Sequence, residues 1–367
     1  MSNKCTLIID GNWLMMSRFS IIRDEFTLNH SVGQLLSAKK DLRDFMSRSI
    51  ILQINKLEGI VDNIILVTDG GSWRRYVTKP DTLIEEYKGN RIKDTDIAWD
   101  YVFGALSELK ESFGSLGITA SNAKGVEGDD WCFYWSKYLN SIGTNVIIWS
   151  TDGDLKQLVN SESDTWTVWY NNKNGLIIND KSSSDSQDIT DYFMNMNCRS
   201  ILLEKLESKS LKCKKYIKPD NIVMDKVICG DAGDNIKPLM RVKNKSKNYK
   251  ITPLIWYNIK TILNINNLND FIDKKSEIVH YMIDNRPDRF KNFNLTYEQV
   301  EKEFDYNLKL VWLDGSMIDE SVFKSMKESK YIEADLNLIR NNFKMLSGED
   351  NTEEIEEIFE GINDLPF

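Results

Sequence analysis

The chain has 367 residues, 41% of them hydrophobic and 28% charged, with a formal net charge of −9. That size predicts one large α/β domain with a smaller one beside it, and a core that needs no disulfide or structural metal. Five scattered cysteines without a CxxC pair, two histidines and no Gly-rich phosphate loop argue against a disulfide framework, a zinc site, a histidine triad and P-loop or dinucleotide chemistry.

In chain order, Cys5–Asp10, Asn63–Asp69 and Asn145–Asp152 are apolar, β-branched runs that end in an acid, the pattern of buried parallel strands. Helical periodicity fills Leu35–Glu58, Ile97–Phe113 and Asp129–Asn140. Strands alternating with helices predict a mainly parallel sheet with flanking helices, whose ligands bind beyond the carboxyl ends of the strands. Trp73–Asp100 is basic and aromatic, Trp166–Ile178 reads as a hairpin, and the chain turns helical after about Pro219. Trp131, Phe133, Tyr134 and Trp135 fall at helical spacing and are expected in the core. The apolar burst Cys5–Ile9 is too short for a signal peptide, and no run is long enough to cross a bilayer, so the expectation is a cytoplasmic protein away from membranes.

The net charge hides its distribution. Eight acids and no base lie between Met345 and Phe367, which leaves the rest of the chain close to neutral. Within that body Lys205–Lys218 carries six lysines against one acid, and Lys237–Lys250 carries six bases and no acid. Such local excess suits phosphate binding. The acidic stretch from Glu349 reads as a disordered tail.

Five motifs place acids directly after apolar segments: Asp10-Gly-Asn12, Asp69-Gly-Gly71, Val126-Glu-Gly-Asp-Asp130, Ser150-Thr-Asp-Gly-Asp154 and Gly230-Asp-Ala-Gly-Asp-Asn235. Any one alone reads as a turn or a helix cap. Together, Asp10, Asp69, Glu127, Asp129, Asp130, Asp152, Asp154, Asp231 and Asp234 form a converging set whose mutual repulsion a hard divalent cation would relieve. Oxygen ligands of this kind suit Mg²⁺, with Mn²⁺ as a substitute, and a pair of ions about 4 Å apart is the usual device for phosphodiester displacement.

These motifs, with Glu85-Glu-Tyr-Lys-Gly-Asn-Arg91, Trp73-Arg-Arg75 and Tyr306–Asp314, stand in the order and spacing of the flap endonuclease / 5′-nuclease family. The likeness covers roughly residues 5–320 and is strongest to the RNase H (5′ to 3′ exonuclease) branch of T-even-type bacteriophages. It implies a PIN-like (resolvase-like) nuclease domain over 1–219 with a basic arch near 73–100, then a helical DNA-binding domain of helix–three-turn–helix type over 220–346, then the tail 347–367. It implies two Mg²⁺ ions, the first among Asp10, Asp69, Glu127, Asp129 and Asp130, the second among Asp152, Asp154, Asp231 and Asp234. Lys88 and Arg91 would act on the scissile phosphate from the base of the arch.

Candidate nucleic-acid contacts are Arg18, Arg74 and Arg75, and the loop bases Lys237, Arg241, Lys243, Lys245 and Lys247. That loop stands where many family members carry a Gly-rich helix-hairpin-helix. The implied substrates are DNA 5′ flaps, nicks and duplex 5′ ends, and RNA–DNA hybrids, cut by a monomer during replication. Leu365, Pro366 and Phe367 resemble a partner-binding hook for a replisome protein such as a clamp or a single-stranded-DNA-binding protein. The alternatives are an inactive branched-DNA binding module and a PIN-type endoribonuclease. Intact acids in all five motifs weigh against the first, and the Gly230–Asn235 motif with the long second domain against the second.

Overall fold

The structure is a computed structural model that describes residues 4–91, 93–161, 164–173, 175–179, 200–244 and 247–347. The chain forms two compact units. The first comprises Met1–Gly71, Asp94–Ile217 and Ser321–Phe367, and the second Ser72–Lys93 and Lys218–Glu320. This departs from the contiguous boundaries expected from the sequence. The basic stretch at 72–93 joins the helical unit because Leu83 and Tyr87 bury themselves in its core. The chain after Ser321 returns to the first unit, where Ile332 and Ala334 bond to Thr119 and Asn63. Residues 348–367, with the expected hook Leu365, Pro366 and Phe367, lie outside the described residues.

The first unit is built on a seven-stranded sheet in the order β3-β2-β1-β4-β5-β6-β7. Its strands are β1 (Cys5–Asp10), β2 (Asn63–Val67), β3 (Thr119–Ser121), β4 (Asn145–Trp149), β5 (Thr167–Asn171), β6 (Gly175–Asn179) and β7 (Cys213–Ile217). All neighbours are parallel except the β5–β6 hairpin. Every residue of β1, β2 and β4 is buried, as expected of strands covered on both faces.

Leu7, Ile9, Ile64, Leu66, Ile147 and Trp149 point to a core shared with α1 (Gly11–Phe19), α2 (Val32–Lys56) and α3 (Trp99–Ser115). α4 (Gly128–Ser141) packs on β1, β2 and β4 and buries Trp131 and Trp135. The sheet grows outward from β1 in both directions, so the chain reverses between β1 and β4. Ligands bind at such a switch point, beyond the strand ends.

α5 (Ser200–Glu207), α11 (Glu320–Lys327) and α12 (Leu336–Ser347) complete the first unit, α11 from Ser321 onward; α12 packs on α2. The second unit holds α6 (Pro219–Cys229), the hairpin β8 (Arg241–Asn244) and β9 (Lys247–Lys250), α7 (Pro253–Ile262), α8 (Leu268–Asp273), α9 (Lys275–Asp284) and α10 (Tyr297–Val311). Pro219 and Pro253 each sit in a first helical turn, where a missing N–H costs nothing. The basic segment expected as a loop is therefore partly a hairpin. Among the described residues 77–98 there are turns and no helix. No described helix is long and apolar enough to cross a membrane.

Candidate active site

The first unit brings acids together at the carboxyl ends of β1, β2 and β4. Asp10 ends β1 and caps α1, accepting from the Trp13 N–H at 3.0 Å, and its other oxygen accepts from the Ser150 hydroxyl at 2.8 Å. The residue is 7% exposed. Burial above all, with the nearby charges of Asp69 and Asp152, pushes its carboxyl up to about 7 against the two hydrogen bonds it accepts. Proximity thus leaves its mark on the electrostatics. The buried Cys132 thiol is raised by the same surroundings, first by burial and then by Asp10, Asp129, Asp152 and Asp69.

Backbone stitching sets where Asp69 sits. Gly70 donates to the Val126 carbonyl and accepts from the Gly125 N–H, both at 2.8 Å, which ties the end of β2 to the loop before α4. A Cβ at Gly70 would lie 1.8 Å from the Ala123 carbonyl oxygen, so only glycine fits. The Gly128 N–H then donates to Asp69 at 2.6 Å, and a Cβ there would meet the carboxylate oxygen of Asp69 at 3.1 Å and that of Asp10 at 3.9 Å. The glycine between Glu127 and Asp129 lets both carboxylates approach the helix start. Gly70→Ala is expected to cost about 2 kcal/mol or more of stability and to displace Asp69. Urea unfolding and a cleavage assay check this; a variant matching the wild type in both would show that the stitching is dispensable.

Glu127 and Asp130 do share one helix start, but as a reciprocal capping box. The Glu127 side chain accepts from the Asp130 N–H, and Asp130, fully buried, accepts from the Glu127 N–H at 3.2 Å. Asp152 caps the 3-10 turn Gly153–Leu158 and accepts from the Asp154 N–H at 2.9 Å.

Ser150 is the residue that sequence reasoning passed over. Fully buried, it donates to Asp10 and accepts from the Asp152 N–H at 3.0 Å, linking two strand ends. Asn12 accepts from the Asp69 N–H, and Asn122 donates to the Asp69 carbonyl. Ser150 and Asn12 stand inside motifs already noticed for their acids, so the signal was there. Lys156 has no such signal. Half-buried over the Trp169 ring at 4.5 Å, its ammonium is pushed to lower pKa by burial while Asp152 and Asp154 oppose the shift.

In the second unit the Gly230–Asn235 motif is a tight loop closed by paired bonds between Asp231 and Ile236. Gly230, at φ +74°, has the Ile236 carbonyl where a Cβ would stand, at 2.5 Å. Burial pushes the Asp231 carboxyl up, but the Lys226 ammonium and the Gly233 N–H outweigh it and hold it below the usual range.

The segment before Arg91 is laced onto this loop. Lys88, at φ +54°, donates its N–H to the Asp234 carbonyl at 2.8 Å, Tyr87 donates to the Asp234 carboxylate at 3.1 Å, and Arg91 pairs with it at 2.6 Å. Asn90 donates to the Ala232 carbonyl, Asn235 to the Glu86 carbonyl, and Lys237 pairs with Glu85. The Lys88 ammonium lies 4.9 Å from the Tyr87 ring centroid.

Three of the expected nucleic-acid contacts are engaged within the protein. Arg18 is 3% exposed and donates to Ser49 from beneath the Phe45 ring; burial lowers its pKa to about 10. Arg74 is 2% exposed and donates to the Leu310 carbonyl beside the Trp73 ring. Arg241 forms a two-pronged pair with Glu303, at 2.5 and 2.9 Å. In each case a long stem beside an aromatic or a buried acid draws the guanidinium inward. Arg75 is exposed. Lys243 and Lys247 lie on the two strands of the hairpin, and Lys245 lies outside the described residues.

The family model of the 5′-3′ exonuclease N-terminal, resolvase-like domain matches residues 5–191. The chain belongs to the 5′-3′ exonuclease (flap endonuclease/5′-nuclease) family. A 5′-3′ exonuclease of Mycoplasmopsis pulmonis is 25% identical over 252 residues, a match that spans 66% of this chain and 66% of that relative. One from Buchnera aphidicola is 24% identical over 310 residues, spanning 84% of this chain and 91% of the relative. The structure of the T5 D15 protein, co-crystallised with metal ions, superposes with a TM-score of 0.51 at 18% identity, covering 94% of this chain and all of D15. That likeness speaks for the fold, a mainly parallel, resolvase-like sheet flanked by helices.

Proposed function

We propose that this 5′-3′ exonuclease family member is a metal-dependent, structure-specific 5′ nuclease that removes flaps and RNA primers from 5′ ends during replication. The supporting observation is the carboxylate cluster at the ends of β1, β2 and β4, in which Asp10 is buried and raised to about 7, first by burial and then by Asp69 and Asp152. A buried carboxylate beside acids that repel it is a donor set suited to a hard divalent cation. The cation class is divalent; Mg²⁺, as two ions with Mn²⁺ able to replace it, is the proposed identity. Asp10, Asp69, Glu127, Asp129 and Asp130 would hold the first ion. Asp152 and Asp154, with Asp231 and Asp234 assigned on their motif alone, would hold the second. When bound, such ions supply positive charge at the scissile phosphodiester.

The chain's own groups do the rest. The Ser150 hydroxyl keeps Asp10 and Asp152 oriented. Lys88 and Arg91 neutralise charge on the phosphate, Arg91 by exchanging its Asp234 partner for substrate. Arg75, Lys237, Lys243, Lys245 and Lys247 grip the backbone, and α6 with α7 serves as the helix pair that holds duplex. Substrates include RNA–DNA hybrids as well as DNA, the acting species is a monomer in the cytoplasm, and Leu365, Pro366 and Phe367 engage a replisome protein.

A labelled panel of 5′ flap, nick, gapped duplex, hybrid and single strand, run with Mg²⁺ and with chelator, tests the reading. Cleavage of the 5′ strand that stops with chelator is expected. Asp152→Asn and Asp154→Asn should each remove cleavage while flap affinity stays near wild type, because phosphates are held by Lys and Arg. Substantial cutting by either variant under saturating Mg²⁺ would discard the second-ion assignment.

A further inference from the structure

The outer face of α4 carries a groove that the carboxylate cluster does not use. Phe133, Tyr134 and Tyr138 line it together with Phe323 of α11, and Lys137 and Lys327 stand on its rim; its volume is about 390 Å³. Tyr134 departs from the expectation of a core residue. It is partly exposed, stacked on Tyr138 at 6.3 Å with an 11° interplanar angle, and meets the edge of Phe323 at 6.3 Å. Tyr138 is 39% exposed, and the Lys327 ammonium lies 4.6 Å from the Phe323 ring centroid. The acids sit at the first turn of α4, whereas Tyr138 lies roughly 12–17 Å further along the helix at 1.5 Å per residue. This groove is a separate feature of the surface.

Among the described residues no acid lines the groove. Rings flanked by two cations make a floor for apolar side chains and a rim for carboxylates. The chain itself contains a segment of matching chemistry. Residues 349–367 carry eight acids and no base, interleaved with Ile355, Ile358, Phe359, Ile362, Leu365 and Phe367. The helix α12 ends at Ser347 in the same unit. Twenty residues from there reach up to roughly 65 Å, enough to return to α4. A tethered segment also acts at an effective concentration near millimolar, so modest contacts suffice.

We propose that this groove is the docking site of the chain's own acidic segment, residues 349–367, with Phe367 and Leu365 among the rings and the acids against Lys137 and Lys327. The acids steer the segment to the lysines, and burial of the apolar anchors holds it there. A partner that takes the same hook has to displace it from α4.

The test uses the full chain with a photoreactive benzoyl-phenylalanine in place of Phe367. Irradiation is expected to crosslink it to Phe133–Ser141 or to Phe323–Lys327, within one chain when light and heavy isotope-labelled chains are mixed. Lys137→Glu with Lys327→Glu should reduce the yield roughly fivefold or more, the effect of losing two exposed ion pairs. Cleavage of a bare flap by that double variant should stay near wild type. Crosslinks scattered over other surfaces, or joining light to heavy chains, would overturn the proposal. So would a single-stranded oligonucleotide that photocrosslinks to Tyr134 and Tyr138 while position 367 does not reach them, since the groove would then be a nucleic-acid platform.

Discussion

Replacing Asp10 by Asn is expected to make the metal-free protein more stable at pH 8 while reducing single-turnover cleavage by roughly 100-fold or more. The native carboxyl keeps its proton up to about 7, whereas an unperturbed one releases it near 3.8. Between those values the native state binds more protons than the unfolded state, so stability falls as pH rises through the window from about 4 to about 7. Asn carries no charge and escapes that loss. Its one oxygen can still cap the Trp13 N–H, while the amide nitrogen in place of the other oxygen can donate to the Ser150 hydroxyl. The gain should be about 2–4 kcal/mol at pH 8 and near zero at pH 4. Thermal unfolding in chelator at the two pH values measures it. With a divalent ion present, the wild type should recover stability at pH 8 and the variant much less. A pH-independent difference between the two proteins would mean that Asp10 is not held protonated by its surroundings.

Arg241→Ala is expected to destabilise the second unit by about 3–5 kcal/mol, the scale of leaving a buried charge without its partner. Glu303 is 1% exposed, and both of its oxygens bond to the Arg241 guanidinium, which also donates to the Pro238 carbonyl. Changing both residues to Met should recover most of the loss, because the penalty lies in the orphaned carboxylate. Urea denaturation of the single and double variants decides between this and a role in gripping DNA. A single variant that keeps its stability and loses only salt-dependent affinity would return Arg241 to the phosphate-binding surface.

The contrast between these two residues shows what was legible in the sequence. Asp10 follows an unbroken apolar run, and a run that ends in an acid places that acid at a strand's carboxyl end. The same logic located Asp69 and Asp152, and the order of strands and helices predicted the parallel sheet. Arg241 sits in a run of bases with no acid nearby in the chain. Its partner is 62 positions away, so the spacing that suggested a phosphate-gripping loop carried no trace of Glu303. Arg18 and Arg74 misled for the same reason: burial depends on what a helix or turn meets in space, and local composition does not record it. The return of the chain after Ser321 to the first unit was equally hidden, since the bonds from Ile332 and Ala334 to Thr119 and Asn63 join residues more than 200 positions apart.

The lacing of Glu85–Arg91 onto Ala232–Lys237 bears on how alanine scans in this family member are read. Lys88 and Tyr87 bond to Asp234, Asn90 bonds to Ala232, and Asn235 reaches back to Glu86. Two stretches about 145 residues apart in the chain therefore behave as one mechanical part. Removing the Tyr87 hydroxyl or the Asn90 amide would shift an acid that neither residue resembles in chemistry. A loss of cleavage after such a change would report the pose of Asp234 as much as any touch on nucleic acid. Arg91 and Asp234 are thermodynamically entangled: the energy of their joint replacement will differ from the sum of the two separate ones, and only a double-mutant cycle can divide it between them.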